Sequence, residues 1–298
     1  RAMSQSEFEK ELPNGIGLAP YLRMKQEGMT DNESRIVDWL LQPGNLSGAP
    51  AIKDVAETLM VSEAMIVKVA KLLGFSGFRN LRAALVDYFS QSEQVLPAEL
   101  AFDEAPQDVV NKVFNITLRT IMEGQSIVNV DEIHRAARFF AQANQRDLYG
   151  VGGSNAICAD IQHKFLRIGV RCQSYQDAHI MMMSASLLKE GDVVLVVSHS
   201  GRTSDVKAAV ELAKKNGAKI ICITHSYHSP IAKLADYIIC SPAPETPLLG
   251  RNASARILQL TLLDALFVSV AQQNIEQATL NMQKTGAIVD FFSPGALK

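Results

Sequence analysis

The chain has 298 residues, 47% of them hydrophobic and 20% charged, with a formal net charge of −2. That balance excludes a disordered chain and a globally basic nucleic-acid coat, so any DNA contact must come from a local patch. Cys158, Cys172, Cys222 and Cys240 lack CxxC spacing and read as reduced core residues of a cytoplasmic protein.

The length favours two domains. No run approaches the roughly 18 uninterrupted apolar residues of a spanning helix, so no membrane partner is expected. Residues 4–20 are weakly patterned and read as an arm. Thr30-Asp31-Asn32-Glu33 is a capping-box signature, and Ile36, Val37, Leu40 and Leu41 recur at helical spacing until Pro43-Gly44 stops the helix. Short helices are expected over Ile52–Leu59 and Ser62–Leu73, with Gly74 as C-cap, and another from Phe78 to about Ser90. Residues 91–106 mix polar groups with proline and read as a linker. Pro106 to Ala143 is helical in pattern, with a break around Val128-Asn129-Val130.

From Arg146 strands and helices alternate. Strands are expected at Asp147–Gly150, Val170–Gln173, Asp192–Ser198, Lys219–Thr224 and Tyr237–Cys240, with a long helix over Ala253–Gln272. Five such repeats predict a five-stranded parallel sheet, doubly wound in the flavodoxin-like manner with helices on both faces. The expected layout is an all-α domain over 4–90, a linker over 91–106, an α/β domain over 107–275 and a tail over 276–298.

The helices at 52–59 and 62–73 have the form of a helix-turn-helix. Ala56 is small where the helices would cross, Val61 would plug the core from the turn, and Ser62 would cap the second helix. On that helix Ile66, Val69 and Leu73 make an inward face, while Glu63, Ala64, Lys68 and Lys71 point outward, as entry into a major groove requires. Arg79 and Arg82 follow, placed to grip phosphates. Over 62–82 the charge is +3 in an otherwise slightly acidic chain. A solvated basic face on an ordinary helical subdomain would look similar. The stretch Ile52 to Arg82, above all Val61-Ser62-Glu63-Ala64 and Leu73-Gly74-Phe75-Ser76-Gly77-Phe78, resembles the N-terminal domain of RpiR-type bacterial transcription regulators. Ser62, Glu63, Ala64, Met65, Lys68, Lys71, Arg79 and Arg82 are the DNA-binding residues expected on that basis. Met65 and Lys68 depart from the family, which often has Thr and Arg at these positions.

In the α/β half, Asp192-Val193-Val194-Leu195-Val196-Val197 is an apolar run without alternation, the mark of a strand buried on both faces. It leads into Ser198-His199-Ser200-Gly201-Arg202-Thr203 and then a helix, and such a turn offers N–H groups, hydroxyls and a positive helix end to a phosphate. Gly150-Val151-Gly152-Gly153-Ser154-Asn155 is a second glycine-rich turn. It is not GxGxxG, and neither a dinucleotide nor a nucleoside triphosphate is indicated. Together the two turns resemble those of the SIS (sugar isomerase) domain, which binds phosphosugars. The resemblance implies that Ser198, Ser200 and Thr203, with Ser154 and Asn155 from the first turn, hold the phosphate. Gly152, Gly153 and Gly201 would let the backbone approach it, and His199 is a candidate donor to the phosphate or a sugar hydroxyl; no cofactor is expected, and no metal-ligand spacing is present.

Several residues stay open. His225 and His228 follow the fourth strand as loop histidines or ligands, and Arg251 or Arg256 would reach a ligand or an interdomain carboxylate. Met181-Met182-Met183 reads as a helix packing onto the sheet. Glu245 is the best base for an isomerase, with a histidine as ring opener. A phosphosugar-binding scaffold is a further alternative. Isomerisation has no use for a helix-turn-helix, so the resemblance implies a non-enzymatic, phosphosugar-responsive regulator. It would be a repressor of ribose- or allose-type sugar catabolism, acting as a homo-oligomeric dimer or tetramer on an inverted-repeat operator in double-stranded DNA.

Overall fold

In the computed structural model, residues 18–26, 29–46, 48–91, 105–243 and 253–291 are described. Helix α1 (Leu18–Gln26) begins inside the stretch expected as an arm, and Leu18, Ala19 and Leu22 are buried. One short apolar cluster within nine residues is too brief a pattern to announce a helix. Thr30 then opens α2 (Asp31–Leu40) by the expected box: Glu33 N–H donates to the Thr30 hydroxyl at 3.4 Å, and Thr30 N–H donates to the Glu33 carboxylate at 2.8 Å.

Helices α3 (Ile52–Leu59) and α4 (Glu63–Leu72) are joined by a turn in which Met60 takes φ 51° and ψ 47°. Val61 N–H donates to Ala56 O at 3.0 Å, and Met65 N–H donates to the Ser62 hydroxyl at 3.2 Å, so both helix ends are satisfied. Met60 is 87% exposed, so it packs little in return for its left-handed backbone. Met60→Gly should therefore raise stability by about 0.5–1 kcal/mol, seen as a higher denaturant midpoint at unchanged m; a lowered midpoint would show that Met60 is not strained. Ile66, Val69 and Leu73 are fully buried with Ile36, Val55, Leu81 and Leu85, the last two from α5 (Phe78–Gln91).

Helix α6 (Pro106–Ile127) packs against α1. Its Glu123 is buried and ion-paired with buried Arg23, and Arg119 Nε donates to the same carboxylate at 2.9 Å. The chain divides by contacts into residues 1–128 with 242–254, and 129–241 with 255–298. Thus α6, which its sequence rhythm alone groups with the α/β half, belongs to the helical unit. Its charged contact to Arg23, about a hundred residues away, is not a periodic signal.

The second unit starts with α7 (Val130–Gln142), capped by Asn129. There follow β1 (Arg146–Tyr149), α8 (Gly153–Arg167), β2 (Gln173–Tyr175), α9 (Ala178–Leu187) and β3 (Val193–Val197). Next come α10 (Ser204–Lys215), β4 (Lys219–Thr224), β5 (Tyr237–Cys240), α11 (Ala253–Ala271) and α12 (Ile275–Phe291). Among the described residues the sheet is five-stranded and parallel, in the order β2-β1-β3-β4-β5. Every residue of β3 is buried, as its unbroken apolar run requires.

Two expectations need correction. The second strand lies at Gln173–Tyr175 rather than Val170–Gln173. Val170 N–H donates to Phe165 O at 3.0 Å past Gly169 (φ 81°), so the apolar valine closes α8 and does not start the strand. Residues expected as a tail form α12 as far as Phe291. Asn281 Nδ2 donates to Ile168 O at 2.9 Å and Thr285 Oγ1 to Arg167 O at 3.1 Å, which satisfies carbonyls at the end of α8. The helical run Ser254–Ile288 is long and apolar enough to cross a membrane by length and composition. Its Leu258, Leu262, Leu263, Leu266 and Val270 are buried within the protein, and a polar 3-10 turn at Gln272–Asn274 interrupts it.

Candidate functional site

The strand order reverses between β1 and β3, and the register sets Tyr149 beside Val196. At such a switch point the loops leaving two neighbouring carboxyl ends diverge and open a crevice. The two glycine-rich turns are those loops. Gly152 (φ 56°) caps α8 in a conformation that favours glycine. The second turn is fixed by the backbone: Gly201 N–H donates to Ser198 O at 3.1 Å, Ile231 N–H to Gly201 O at 3.0 Å, and His225 N–H to His199 O at 2.9 Å. Gly201 has φ 59°, and a Cβ there would overlap the Ser229 hydroxyl.

The hydroxyls divide between these turns. Ser198 is buried, Ser200 is exposed and accepts from Arg202 N–H at 3.2 Å, and Thr203 caps α10 without a side-chain hydrogen bond to that helix. Ser154 is half-buried in the first turn of α8. Asn155 is committed within the protein, since its Nδ2 donates to Gln176 at 2.7 Å and its Oδ1 accepts from Ser174 at 3.3 Å. His199 and His225 bring their rings to 5.1 Å between centroids, and burial holds His199 below its usual value, so it is a neutral imidazole near pH 7. His228 is exposed and its N–H donates to Ser226 at 3.3 Å.

Arg256 lays its guanidinium over Gly153, so a Cβ at that glycine would overlap it. This places a cation at the first turn, a contact that residue spacing does not reveal. Glu245 and Arg251 lie outside the described residues. Of the methionine run only Met181 is buried; Met183 is 68% exposed.

On the helical unit, Glu63, Ala64, Lys68, Lys71 and Arg79 are exposed and Ser62 is spent as the N-cap. Three expected DNA-binding residues are more engaged than their spacing suggests. Met65 is half-buried and packs on the core. Arg82 donates to Ala49 O at 3.0 Å and Pro50 O at 2.5 Å, with its guanidinium 5.8 Å from the centre of the Phe78 ring. Lys68 Nζ lies 2.7 Å from the carboxylate of Glu33, a partner that sequence reasoning misses because it sits on another helix.

Family models match both halves: the helix-turn-helix domain of the rpiR family over residues 16–92, and the SIS domain over residues 139–269. The HTH-type transcriptional regulator RpiR of Escherichia coli (strain K12) is 92% identical over 296 residues, which is 99% of this chain and all of that one. The chain belongs to the RpiR family. As an RpiR-family transcriptional regulator it carries its helix-turn-helix ahead of a SIS domain. Among solved structures, the Vibrio vulnificus NanR protein complexed with ManNAc-6P is similar at TM-score 0.58 and 25% identity, covering 91% of this chain and 98% of that one. The sugar isomerase domain of an RpiR transcription factor from Sphaerobacter thermophilus shares the fold at TM-score 0.56 and 18% identity, covering 61% and 99%.

Proposed function

We propose that this RpiR-family regulator is a cytoplasmic repressor of ribose- or allose-type sugar catabolism, whose operator affinity is set by a phosphosugar bound between the β1 and β3 turns. The observation that carries the reading is the pairing, in one chain, of an exposed basic helix α4 with a rigid hydroxyl-lined turn at the switch point of a SIS sheet. The NanR relative, complexed with ManNAc-6P and similar over most of the chain, supports the ligand class.

In this reading Ser198, Ser200, Thr203 and Ser154 donate to the phosphoryl oxygens, and the starts of α8 and α10 add their positive ends. Gly152, Gly153 and Gly201 let the backbone approach. Neutral His199 has a ring N–H to offer a sugar hydroxyl, and Arg256 is the nearby cation. Lys71 and Arg79 meet DNA phosphates while Glu63, Ala64 and Lys68 face the bases. A homo-oligomer on an inverted repeat pairs two such helices. Moving the population from 1:99 to 99:1 requires the sugar to favour one state by about 5.5 kcal/mol, which several charge-assisted hydrogen bonds in each of two or more subunits supply.

Ser200→Ala should abolish the response to sugar phosphate while operator affinity holds, and Lys71→Ala should weaken DNA binding and reduce its salt slope by about 0.9 while sugar affinity holds. Anisotropy titrations of labelled operator and thermal-shift titrations of the sugar read the two separately. Loss of both activities in both variants would refute this division of labour.

A further inference from the structure

Lys68 is 64% exposed in its side chain, on the outward face of α4, whereas its partner Glu33 is 6% exposed. The carboxylate is anchored from its own helix: one oxygen meets Lys68 Nζ at 2.7 Å and the other accepts Thr30 N–H at 2.8 Å. The hydrogen bond from Lys68, followed by the Thr30 N–H, holds Glu33 down to about 2, so the carboxylate is ionised at any pH where the chain would meet DNA. A fixed anion therefore sits directly behind one exposed lysine of the basic face. Counting it lowers the local charge around residues 62–82 from +3 to +2.

We propose that Glu33 is a positioning and specificity-determining residue: it neutralises and orients Lys68, so that this lysine serves base-edge readout and not phosphate clamping. The proposal rests on the reading that α4 meets DNA. A free lysine gains affinity at a phosphate by releasing a condensed counterion, with no regard to sequence. Lys68 already has an internal counterion, so exchanging it for a phosphate releases nothing. Held at Glu33, it keeps two further N–H donors, and these suit acceptors such as guanine O6 and N7. The pair thus suppresses sequence-independent binding at the position where the helix reads bases.

The test uses the full chain and two probes: a short duplex of mixed sequence, and an operator selected by the wild-type chain from a random duplex pool. Affinities are followed by anisotropy over about 50–200 mM salt. Glu33→Gln retains the acceptor that Thr30 N–H needs, so the capping box survives. It should tighten binding to the mixed duplex, steepen its salt slope by about 0.9 and narrow the ratio of operator to mixed-duplex affinity. In a Lys68→Ala background the same change should leave the slope where it was. Independently of whether Glu33→Gln folds well, Lys68→Ala alone should leave the mixed-duplex slope unchanged, while Lys71→Ala lowers it by about 0.9. An unchanged slope in Glu33→Gln, equal steepening with and without Lys68, or a slope loss in Lys68→Ala equal to that in Lys71→Ala would each overturn the proposal. If Lys71→Ala also leaves the slope untouched, the underlying assignment of α4 to DNA fails, and the proposal falls with it.

Discussion

Replacing Glu123 by alanine is expected to destabilise the chain by about 3–5 kcal/mol, among the largest single effects available outside its apolar cores. Glu123 and Arg23 are 6% and 8% exposed in their side chains, and Arg119 and Tyr88 hydrogen-bond the same carboxylate. Truncation leaves the Arg23 guanidinium buried without its counter-charge. The double change Arg23→Met with Glu123→Leu should recover most of the loss, because no charge is then stranded. Burial alone would push the Glu123 carboxyl up, but Arg23 and Arg119 outweigh it and hold the carboxyl below its usual value. A group depressed in the folded state contributes stability that is complete above its unfolded pKa and fades as pH falls through the folded one. The wild-type advantage over Glu123→Ala in denaturant midpoint should therefore shrink on acidification. An advantage that grows toward acid would contradict the assignment of an ionised carboxylate.

Gly201→Val should remove phosphosugar binding and cost about 2–5 kcal/mol of stability. The position holds φ 59°, and a Cβ would overlap the Ser229 hydroxyl and come within 2.9 Å of Thr224 Oγ1. Both hydroxyls belong to the packing beneath the turn, since Thr224 Oγ1 donates to His199 O at 3.2 Å. A β-branched residue must move the turn, and the Ser198, Ser200 and Thr203 hydroxyls move with it. Thermal-shift titration should find a lowered midpoint and no rise on adding sugar phosphate. A variant that keeps the wild-type rise would show that the turn does not hold the ligand.

Much of this was legible in the residues. The unbroken apolar run of β3 announced a strand covered on both faces, and the Thr30–Glu33 spacing announced the cap of α2. The spacing from Ala56 to Leu73 announced two crossing helices with a bare outer face. What stayed hidden has two physical causes, one local and the other long-range. Val170 is as apolar as a strand residue, yet its N–H closes the preceding helix. Helix α12 is fixed partly by hydrogen bonds from Asn281 and Thr285 to carbonyls more than a hundred residues earlier. The partner of Lys68, the guanidinium over Gly153 and the packing of α6 on α1 are likewise long-range contacts. Periodicity reports which face of an element is apolar and is silent about what that face or its charges will meet.

The most direct measurement is an anisotropy titration of the full-length chain on its selected operator, repeated at saturating pentose and hexose phosphates and with the corresponding unphosphorylated sugars. Specific binding that one sugar phosphate shifts at least tenfold, that its unphosphorylated form leaves alone, and that Ser200→Ala no longer registers is the predicted result. Operator affinity indifferent to every phosphosugar, in a chain that nevertheless binds one of them at the β1–β3 crevice, would contradict it.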